Sequence, residues 1–267
     1  MKQMARTTFA SIMALLGTFA TGHAQESSSG DLAKAAQNPI ANMISVPLQN
    51  NLNFGVGPYS RPQNILNIQP VIPVSLGEDW NLITRWILPV ISQPPLAIGA
   101  DREWGLGNAN PSFFFSPKKP TAGIIWGIGP TVLLPTSTDR ALGKAVWGAG
   151  PTAVALTSSG PWLIGALFGH IWSFDGDRTV NLTTIQPFVN YNFPHGWYVT
   201  TSPIITADWR AKSSDRWTLP IGGGFGRVFK IGEQPVNMQL AAYYNAITPT
   251  GGASWQVRTQ VQFLFPK

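Results

Sequence analysis

Amide and guanidinium side chains recur at every second position of the extended stretches, and they are the residues best placed to do chemistry. In the stretch Trp255–Phe265, Gln256, Arg258, Gln260 and Gln262 alternate with aliphatic, aromatic and threonine side chains. Successive side chains of an extended chain point to opposite faces, so this strand has one polar and one apolar face. A polar face of this kind is what a water-filled lumen requires, and it equally satisfies the hydrogen bonds of any closed barrel interior.

The alternation recurs in several other stretches, and its polar members form one predicted lumenal surface. Uncharged amides dominate that surface, which predicts weak ion selectivity, while Arg85 and Arg258 predict a mild preference for anions. A second interpretation stays open, because each arginine could pair with an acidic residue such as Asp208. The residues predicted to face the lumen are Asn67, Gln69, Asn81, Arg85, Asn108, Asn110, Ser112, Gln186, Asn190, Asn237, Gln239, Asn245, Gln256, Arg258, Gln260 and Gln262.

Catalytic, metal and cofactor chemistry is not predicted. Catalysis by a nucleophile or a general base needs a reactive group with a positioned partner, and the chain beyond residue 24 has two histidines, His170 and His195. His170 lies among apolar residues, which favours an interface or packing role, and His195 lies in the turn F-P-H-G. No spacing suggests a zinc site, and the glycine runs lack the strand–turn–helix context of a phosphate loop. We therefore predict that the protein is not an enzyme.

The composition favours a membrane β-barrel over a soluble enzyme. Charged residues make up 11% of the 267 residues, against about 25% in a typical soluble domain. The chain has 11 Trp and 14 Phe, but no run of about 18 apolar residues that could form a membrane helix. Basic residues are scattered, with Lys118 and Lys119 the one adjacent pair, so the predicted partner is anionic lipid rather than nucleic acid.

Twelve extended segments are predicted to build the barrel. Their length suits a tilted transmembrane strand of about 9–11 residues better than a globular strand of about 5–6. Short and longer connections alternate, as in barrels with short periplasmic turns and longer external loops. The predicted fold is thus an all-β, transmembrane, antiparallel up-and-down β-barrel of about 12 strands in the bacterial outer membrane. The segments are Leu48–Val56, Asn64–Val74, Trp80–Ile91, Gly105–Phe115, Thr121–Leu134, Ala145–Leu156, Trp162–Ser173, Asn181–Asn192, Trp197–Asp208, Trp217–Phe229, Val236–Ile247 and Trp255–Phe265.

The chain divides into three predicted parts. Residues 1–24 combine two basic residues, a short apolar core and the small-x-small motif G-H-A, as in a cleaved signal peptide. Residues 25–47 are polar and then helical in pattern up to Pro39, and they either lie in the periplasm or enter the barrel as a partial plug. Residues 48–267 form the barrel. Zero cysteines fit this export route, since no disulfide framework is implied.

Seven short stretches point to a common resemblance. They are A-K-A-A-Q-N-P-I-A at Ala33–Ala41, Q-N-N at Gln49–Asn51, L-N-I-Q-P-V-I-P at Leu66–Pro73, N-L-I-T-R at Asn81–Arg85, L-P-V-I at Leu88–Ile91, G-I-G-P at Gly127–Pro130 and Q-P-F-V-N-Y-N at Gln186–Asn192. Together they resemble a family of bacterial outer-membrane proteins catalogued as transporters of the "MetA-pathway of phenol degradation" type and often mislabelled neuromedin U. The resemblance implies an outer-membrane barrel that passes small molecules, aromatic ones included, and it supplies no set of functional residues.

The terminus departs from what the resemblance implies. Such barrels commonly finish on an aromatic residue that the barrel-insertion machinery recognises, whereas Phe265 is followed here by Pro266 and Lys267.

A twelve-stranded outer-membrane phospholipase would, by resemblance, carry a His and a Ser two residues apart, but Trp172 stands two residues after His170.

The predicted function is a channel that passes small solutes passively, with selectivity set by the loop Ser92–Trp104 and by Arg85 and Arg258. The first alternative is a non-conducting structural or surface-binding barrel, whose lumen is closed by side chains or by residues 25–47. An outer-membrane lipid enzyme is a further alternative, which the missing His/Ser motif disfavours, and a secreted soluble β-barrel is the last.

Overall fold

Twelve antiparallel strands close into a barrel in the computed structural model, which describes residues 29–174 and 180–266. Neighbours along the chain are neighbours in the sheet, and β1 pairs with the last strand from Ile44 opposite Phe265 to Phe54 opposite Trp255. The predicted signal peptide at residues 1–24 lies outside the described residues. The extended segments are β1 (Ile44–Val56), β2 (Arg61–Ile68), β3 (Val71–Leu76), β4 (Trp80–Arg85), β5 (Leu88–Gln93), β6 (Glu103–Leu106), β7 (Ser112–Pro117), β8 (Ile124–Leu133), β9 (Gly148–Ser159), β10 (Trp162–Ser173), β11 (Asn181–Asn192), β12 (Trp197–Thr201), β13 (Ile205–Asp208), β14 (Trp217–Ile231), β15 (Gln234–Ile247) and β16 (Trp255–Phe265).

Four barrel strands are each interrupted, which accounts for sixteen segments in twelve strands. The pairs β2/β3, β4/β5, β6/β7 and β12/β13 each form one barrel strand. Three interruptions contain a proline, Pro70, Pro111 or Pro203, which has no N–H to donate to the ladder. The fourth interruption, between β4 and β5, lies opposite the one between β2 and β3, where the Trp86 N–H donates to the Pro70 carbonyl. The prediction of unbroken segments was therefore wrong at these four places.

The first strand begins at Ile44 rather than at the predicted Leu48. Residues 44–47 alternate as the rest of β1 does, with Ser45 and Pro47 buried on the inner face. The boundary was predicted too late because Pro47 reads as a strand breaker. Here it lies in the strand, and its carbonyl accepts a hydrogen bond from the Gln69 N–H.

The connections follow the predicted alternation with two exceptions. The periplasmic turns are residues 77–79, 118–123, 160–161, 193–196 and 232–233. The described external connections are residues 57–60, 94–102, 134–147, 209–216 and 248–254. Residues 175–179, between β10 and β11, lie outside the described residues. The first external loop is shorter and the turn 118–123 is longer than predicted.

Aromatic residues ring the outer wall at both ends of the strands. Trp80, Trp162 and Trp197 open strands at the periplasmic end and are exposed on the outer face. Trp104 and Trp172 are exposed at the external end, as are other tryptophans of that rim. Between the two rings the outer face carries aliphatic and aromatic side chains, so the wall matches an apolar band with interfacial girdles.

The alternation of polar and apolar side chains is hard to see in strand β14, and its glycines explain this. Its inner face carries Gly222, Gly224 and Gly226, so there are no side chains to show the pattern. Arg227 points outward near the periplasmic rim, where its guanidinium lies 5.1 Å from the Trp197 ring centroid.

Among the described residues, no helix is both long and apolar enough to cross a membrane.

Candidate functional site in the barrel lumen

A cavity of about 120 Å³ lies inside the barrel, and amide side chains line much of it. Side chains from β1, β11, β12, β15 and β16 converge on it, together with the segment that precedes β1. Nine of the predicted lumenal residues line this cavity: Gln69, Arg85, Gln186, Asn190, Asn237, Gln239, Arg258, Gln260 and Gln262.

Most of the other predicted residues hold the inner wall together away from the cavity. Asn110 donates to the Thr131 hydroxyl, which also accepts from the Ser112 hydroxyl. Gln256 bonds to Asn53, and Asn245 donates to the Ala253 carbonyl. Asn67 pairs across from Gln49, and Asn81 is buried across from Ser116.

Asn108 has a different role from the one predicted. It lies in the interruption between β6 and β7, where its amide donates to the Lys144 carbonyl and its side-chain oxygen accepts from the Ser137 N–H. It therefore holds the external loop 134–147 against the wall rather than facing the cavity.

Several residues of the cavity wall were missed from the sequence. Gln49 and Ser45 lie on the inner face of β1. The alternation would have identified Ser45 had the strand been started at Ile44, and it already placed Gln49 opposite in parity to Leu48 and Leu52 within the predicted strand. Tyr198 also lines the cavity, yet its amphipathic ring gives no clear signal of which face it occupies. Ser202 lies in a strand interruption, where the period of two gives no guidance.

Arg258 is held in place by a network across the lumen and is 2% exposed. Its Nε donates to Asn51 Oδ1 at 3.1 Å, and its Nη1 donates to the Ser202 carbonyl at 2.9 Å. Its Nη2 donates to Gln256 Oε1 at 3.1 Å, and the guanidinium lies 4.8 Å from the Tyr243 ring centroid. These contacts connect β16 to the interruption between β12 and β13, on the far side of β14 and β15.

Arg85 has far fewer contacts. Its Nη2 donates to Gln69 Oε1 at 2.8 Å, and the side chain lines the cavity. Neither arginine bonds to Asp208, whose carboxylate accepts the N–H of Arg210 instead. The interpretation that Asp208 neutralises a lumenal arginine was therefore wrong.

Tyr198 fills the space that the glycines of β14 leave. Its ring is 1% exposed, and a Cβ at Gly226 would overlap it. The Tyr198 hydroxyl donates to Asn237 Oδ1 at 2.8 Å, and Asn237 Nδ2 donates in turn to Gln262 Oε1. Glycine is needed at position 226 because of this close approach, and the buried hydroxyl is satisfied as buried polar groups usually are.

The segment before β1 enters the barrel from its periplasmic end. The helix α1 (Ser29–Gln37) buries Leu32 and Ala33 against Val228 and Leu264 of the inner wall. Its Lys34 donates to the Gly160 carbonyl in a periplasmic turn at 2.8 Å. The described part of this segment, from Ser29 onward, therefore lies against the inner wall of the barrel.

Ile40 continues the segment into an apolar cluster inside the barrel. It is 3% exposed and belongs to one cluster with eight buried side chains of the inner wall: Val71, Ile83, Phe114, Val154, Leu156, Leu163, Leu167 and Phe188. Three of these, Val71, Leu167 and Phe188, also line the cavity. The cavity therefore borders a plugged, apolar region of the lumen.

The two histidines lie away from the cavity. His170 is on the outer face of β10, where its Nδ1 is 2.7 Å from the Thr183 hydroxyl and its ring contacts Trp172. His195 is exposed in a periplasmic turn. Within residues 29–174 and 180–266, no group of three or more histidine or carboxylate side chains could hold a metal ion.

Comparison with solved structures identifies the fold. An outer membrane channel from Pseudomonas putida F1 is 16% identical, and the match covers 84% of this chain and 95% of that one with a TM-score of 0.64. The CymD monoaromatic hydrocarbon channel is 11% identical over 87% of this chain and 92% of that one, with a TM-score of 0.47. Outer membrane phospholipase A from Escherichia coli is 11% identical over 88% and 98%, with a TM-score of 0.43. No model of a protein family matches the sequence, and no curated protein matches it.

The fold and the outer surface agree on the location of the protein. The chain has the fold of a bacterial outer-membrane β-barrel. Its outer face carries the apolar band and the aromatic girdles that such a barrel presents to lipid. The protein is therefore a barrel of the bacterial outer membrane.

Proposed function

We propose that this barrel is a channel that passes small solutes, aromatic ones among them, passively across the outer membrane. The observation that carries the proposal is the cavity inside the barrel, with amides and two arginines on its wall. A solute that leaves water needs replacement hydrogen bonds, and amides provide donors and acceptors without fixing a charge preference. The shared fold with the P. putida outer membrane channel supports the proposal.

The external loop predicted to set selectivity remains a candidate in this proposal. It spans residues 94–102 and is held over the wall by Arg102, whose guanidinium donates to Ser92 Oγ at 2.8 Å and to the Pro62 carbonyl at 3.1 Å. The Gly99 N–H also donates to the Tyr59 hydroxyl. A loop fastened at several points defines the shape of an entrance better than a loose one.

The test is conductance and solute uptake by the refolded full-length mature chain. In planar bilayers we expect brief or small current steps, because the plug occupies part of the lumen, and in liposomes we expect uptake of small neutral solutes. A correctly folded barrel that carries no current and takes up no solute would refute the proposal.

A second function is favoured by the apolar cluster around Ile40. If this cluster never opens, the protein is a non-conducting structural or surface-binding barrel. Deleting residues 25–43 discriminates the two, because a channel gains current while the binding of any surface partner stays unchanged. If the shortened chain folds and carries no current, side chains of the wall close the lumen by themselves, and the non-conducting function is the correct one.

A further inference from the structure

The charges on the cavity wall are unbalanced. Arg85 and Arg258 line the cavity, and no aspartate or glutamate is among the described residues that line it. Cations in a low-dielectric interior are costly unless an anion or several hydrogen bonds compensate them. The described cavity wall thus presents two positive groups and no negative group.

The two arginines are compensated to different extents. Arg258 makes three hydrogen bonds and lies against the Tyr243 ring, so its donors are largely committed to the wall. Arg85 has one hydrogen-bond acceptor among the described residues, Gln69. A guanidinium has five N–H donors arranged in a planar fork, so most of the donors of Arg85 remain for a ligand.

An apolar surface lies next to this cation. Val71 faces Arg85 directly across the β3–β4 ladder, and Leu167 and Phe188 line the same cavity. All three belong to the apolar cluster around Ile40. A ligand that satisfies both surfaces carries an anionic head for the guanidinium and a compact apolar body for the cluster.

We propose that Arg85 is the anchor for the carboxylate of a small amphiphilic monoanion, such as an aromatic carboxylate, in transit through the lumen. The carboxylate accepts two N–H groups of the guanidinium fork, and the apolar body lies against Val71, Leu167 and Phe188. This proposal rests on the proposed channel function, since it names the solute class that the channel takes. It assigns a solute-binding role to one residue and leaves Arg258 as part of the wall.

Three isosteric probes separate charge from shape: benzoate, benzamide and benzamidinium have the same ring and nearly the same size but carry negative, zero and positive charge. In planar bilayers, we expect benzoate to block the chloride current of the wild-type channel at concentrations about tenfold or more below those of benzamide, because charge-assisted hydrogen bonds are the stronger ones. Benzamidinium should block worst. Acetate tests the apolar body, and we expect it to block more weakly than benzoate.

The variants are Arg85→Gln and Arg85→Lys, with Arg61→Gln as the matched control. Arg61 is an exposed arginine at the external end of β2, with its guanidinium over Tyr59. We expect Arg85→Gln to remove the advantage of benzoate over benzamide, Arg85→Lys to keep part of it, and Arg61→Gln to keep all of it. An advantage that survives Arg85→Gln overturns the assignment, and so does acetate blocking as well as benzoate.

A binding measurement separates failure of this proposal from failure of the channel function. Benzoate should raise the thermal unfolding midpoint of the wild-type barrel in detergent micelles and leave that of Arg85→Gln unchanged. If the wild type shows this shift but carries no current, the channel function fails and the anchor stands. If it conducts but benzoate has no advantage over benzamide in either assay, the anchor fails and the channel stands.

Discussion

Ile40→Ala should release the N-terminal segment from the lumen, because the buried side chain of Ile40 supplies much of the apolar contact that holds the segment there. In the seated state Ile40 is 3% exposed among eight apolar side chains, whereas in the unseated state it would meet water. An isoleucine-to-alanine change in a core costs about 2–5 kcal/mol. Each 1.4 kcal/mol is about tenfold in an equilibrium constant, so the unseated population should rise by about 30-fold to several thousand-fold.

The assay is single-channel recording of the refolded barrel, with the open fraction as the readout. Trypsin cleavage after Lys34 gives a second readout, because the helix is protected only while the segment is seated. Ile44→Ala is the matched control, since Ile44 is the same residue type on the outer face of β1 and is 38% exposed. The control should leave both readouts at wild-type values.

The refuting result is an Ile40→Ala barrel with the open fraction and the cleavage rate of the wild type. That outcome would mean that Ile40 contributes little to holding the N-terminal segment inside the barrel, and that the apolar cluster closes the lumen without this segment. A loss of barrel stability without release of the segment would contradict the reasoning as well, because the cost would then fall on the wall.

Three further predictions concern the wall and the external loops. Arg258→Gln should lower the free energy of unfolding in urea by about 1–3 kcal/mol, because it leaves buried acceptors without donors; an unchanged midpoint would show that its network contributes nothing net. Gly226→Ala should destabilise the barrel by about 1–3 kcal/mol, because the new methyl overlaps the tyrosine ring packed there. Gly169→Ala should be nearly neutral, because its Cβ would meet the Thr152 hydroxyl at 3.8 Å, an ordinary van der Waals distance. Asp215 has a pKa below its usual value, chiefly because its carboxylate accepts the N–H and then the hydroxyl of Thr250. A carboxylate whose pKa is depressed in the folded state adds stability above the ordinary carboxylate range, and this stability is lost as pH falls through the lower folded pKa. Proteolysis of the loop 209–216 should therefore accelerate below about pH 4 in the wild type. The variant Asp215→Asn should be cleaved quickly at all pH values.

The alternation of side chains predicted most of the barrel wall, because it depends only on local geometry. In β16 the four polar residues Gln256, Arg258, Gln260 and Gln262 share the inner face, as predicted, together with Leu264, which the sequence had assigned to neither face. Closure against β1 follows the same two faces. The girdle tryptophans were equally predictable, since they stand at strand ends in the sequence. These features follow from a period of two and from the two boundaries of the membrane.

The features that depend on contacts between distant residues could not be predicted in this way. Nothing in the sequence pairs Arg258 with the Ser202 carbonyl, which lies in a strand interruption on the other side of the lumen. The space for Tyr198 comes from Gly226, a residue that obscured the alternation of its own strand. Ile40 gave no signal of burial, since one apolar residue after a proline fits a loop as well as a plug.

Closure between β1 and β16 sets an order of events during assembly. Arg258 and Asn51, which meet at this seam, are 207 residues apart, so the seam must form after nearly the whole polypeptide is available. Until then β1 and β16 each carry an edge with unpaired N–H and C=O groups, which is a template for aggregation. The N-terminal segment is joined to one of these two edges, so it lies beside the open sheet before the barrel closes around it.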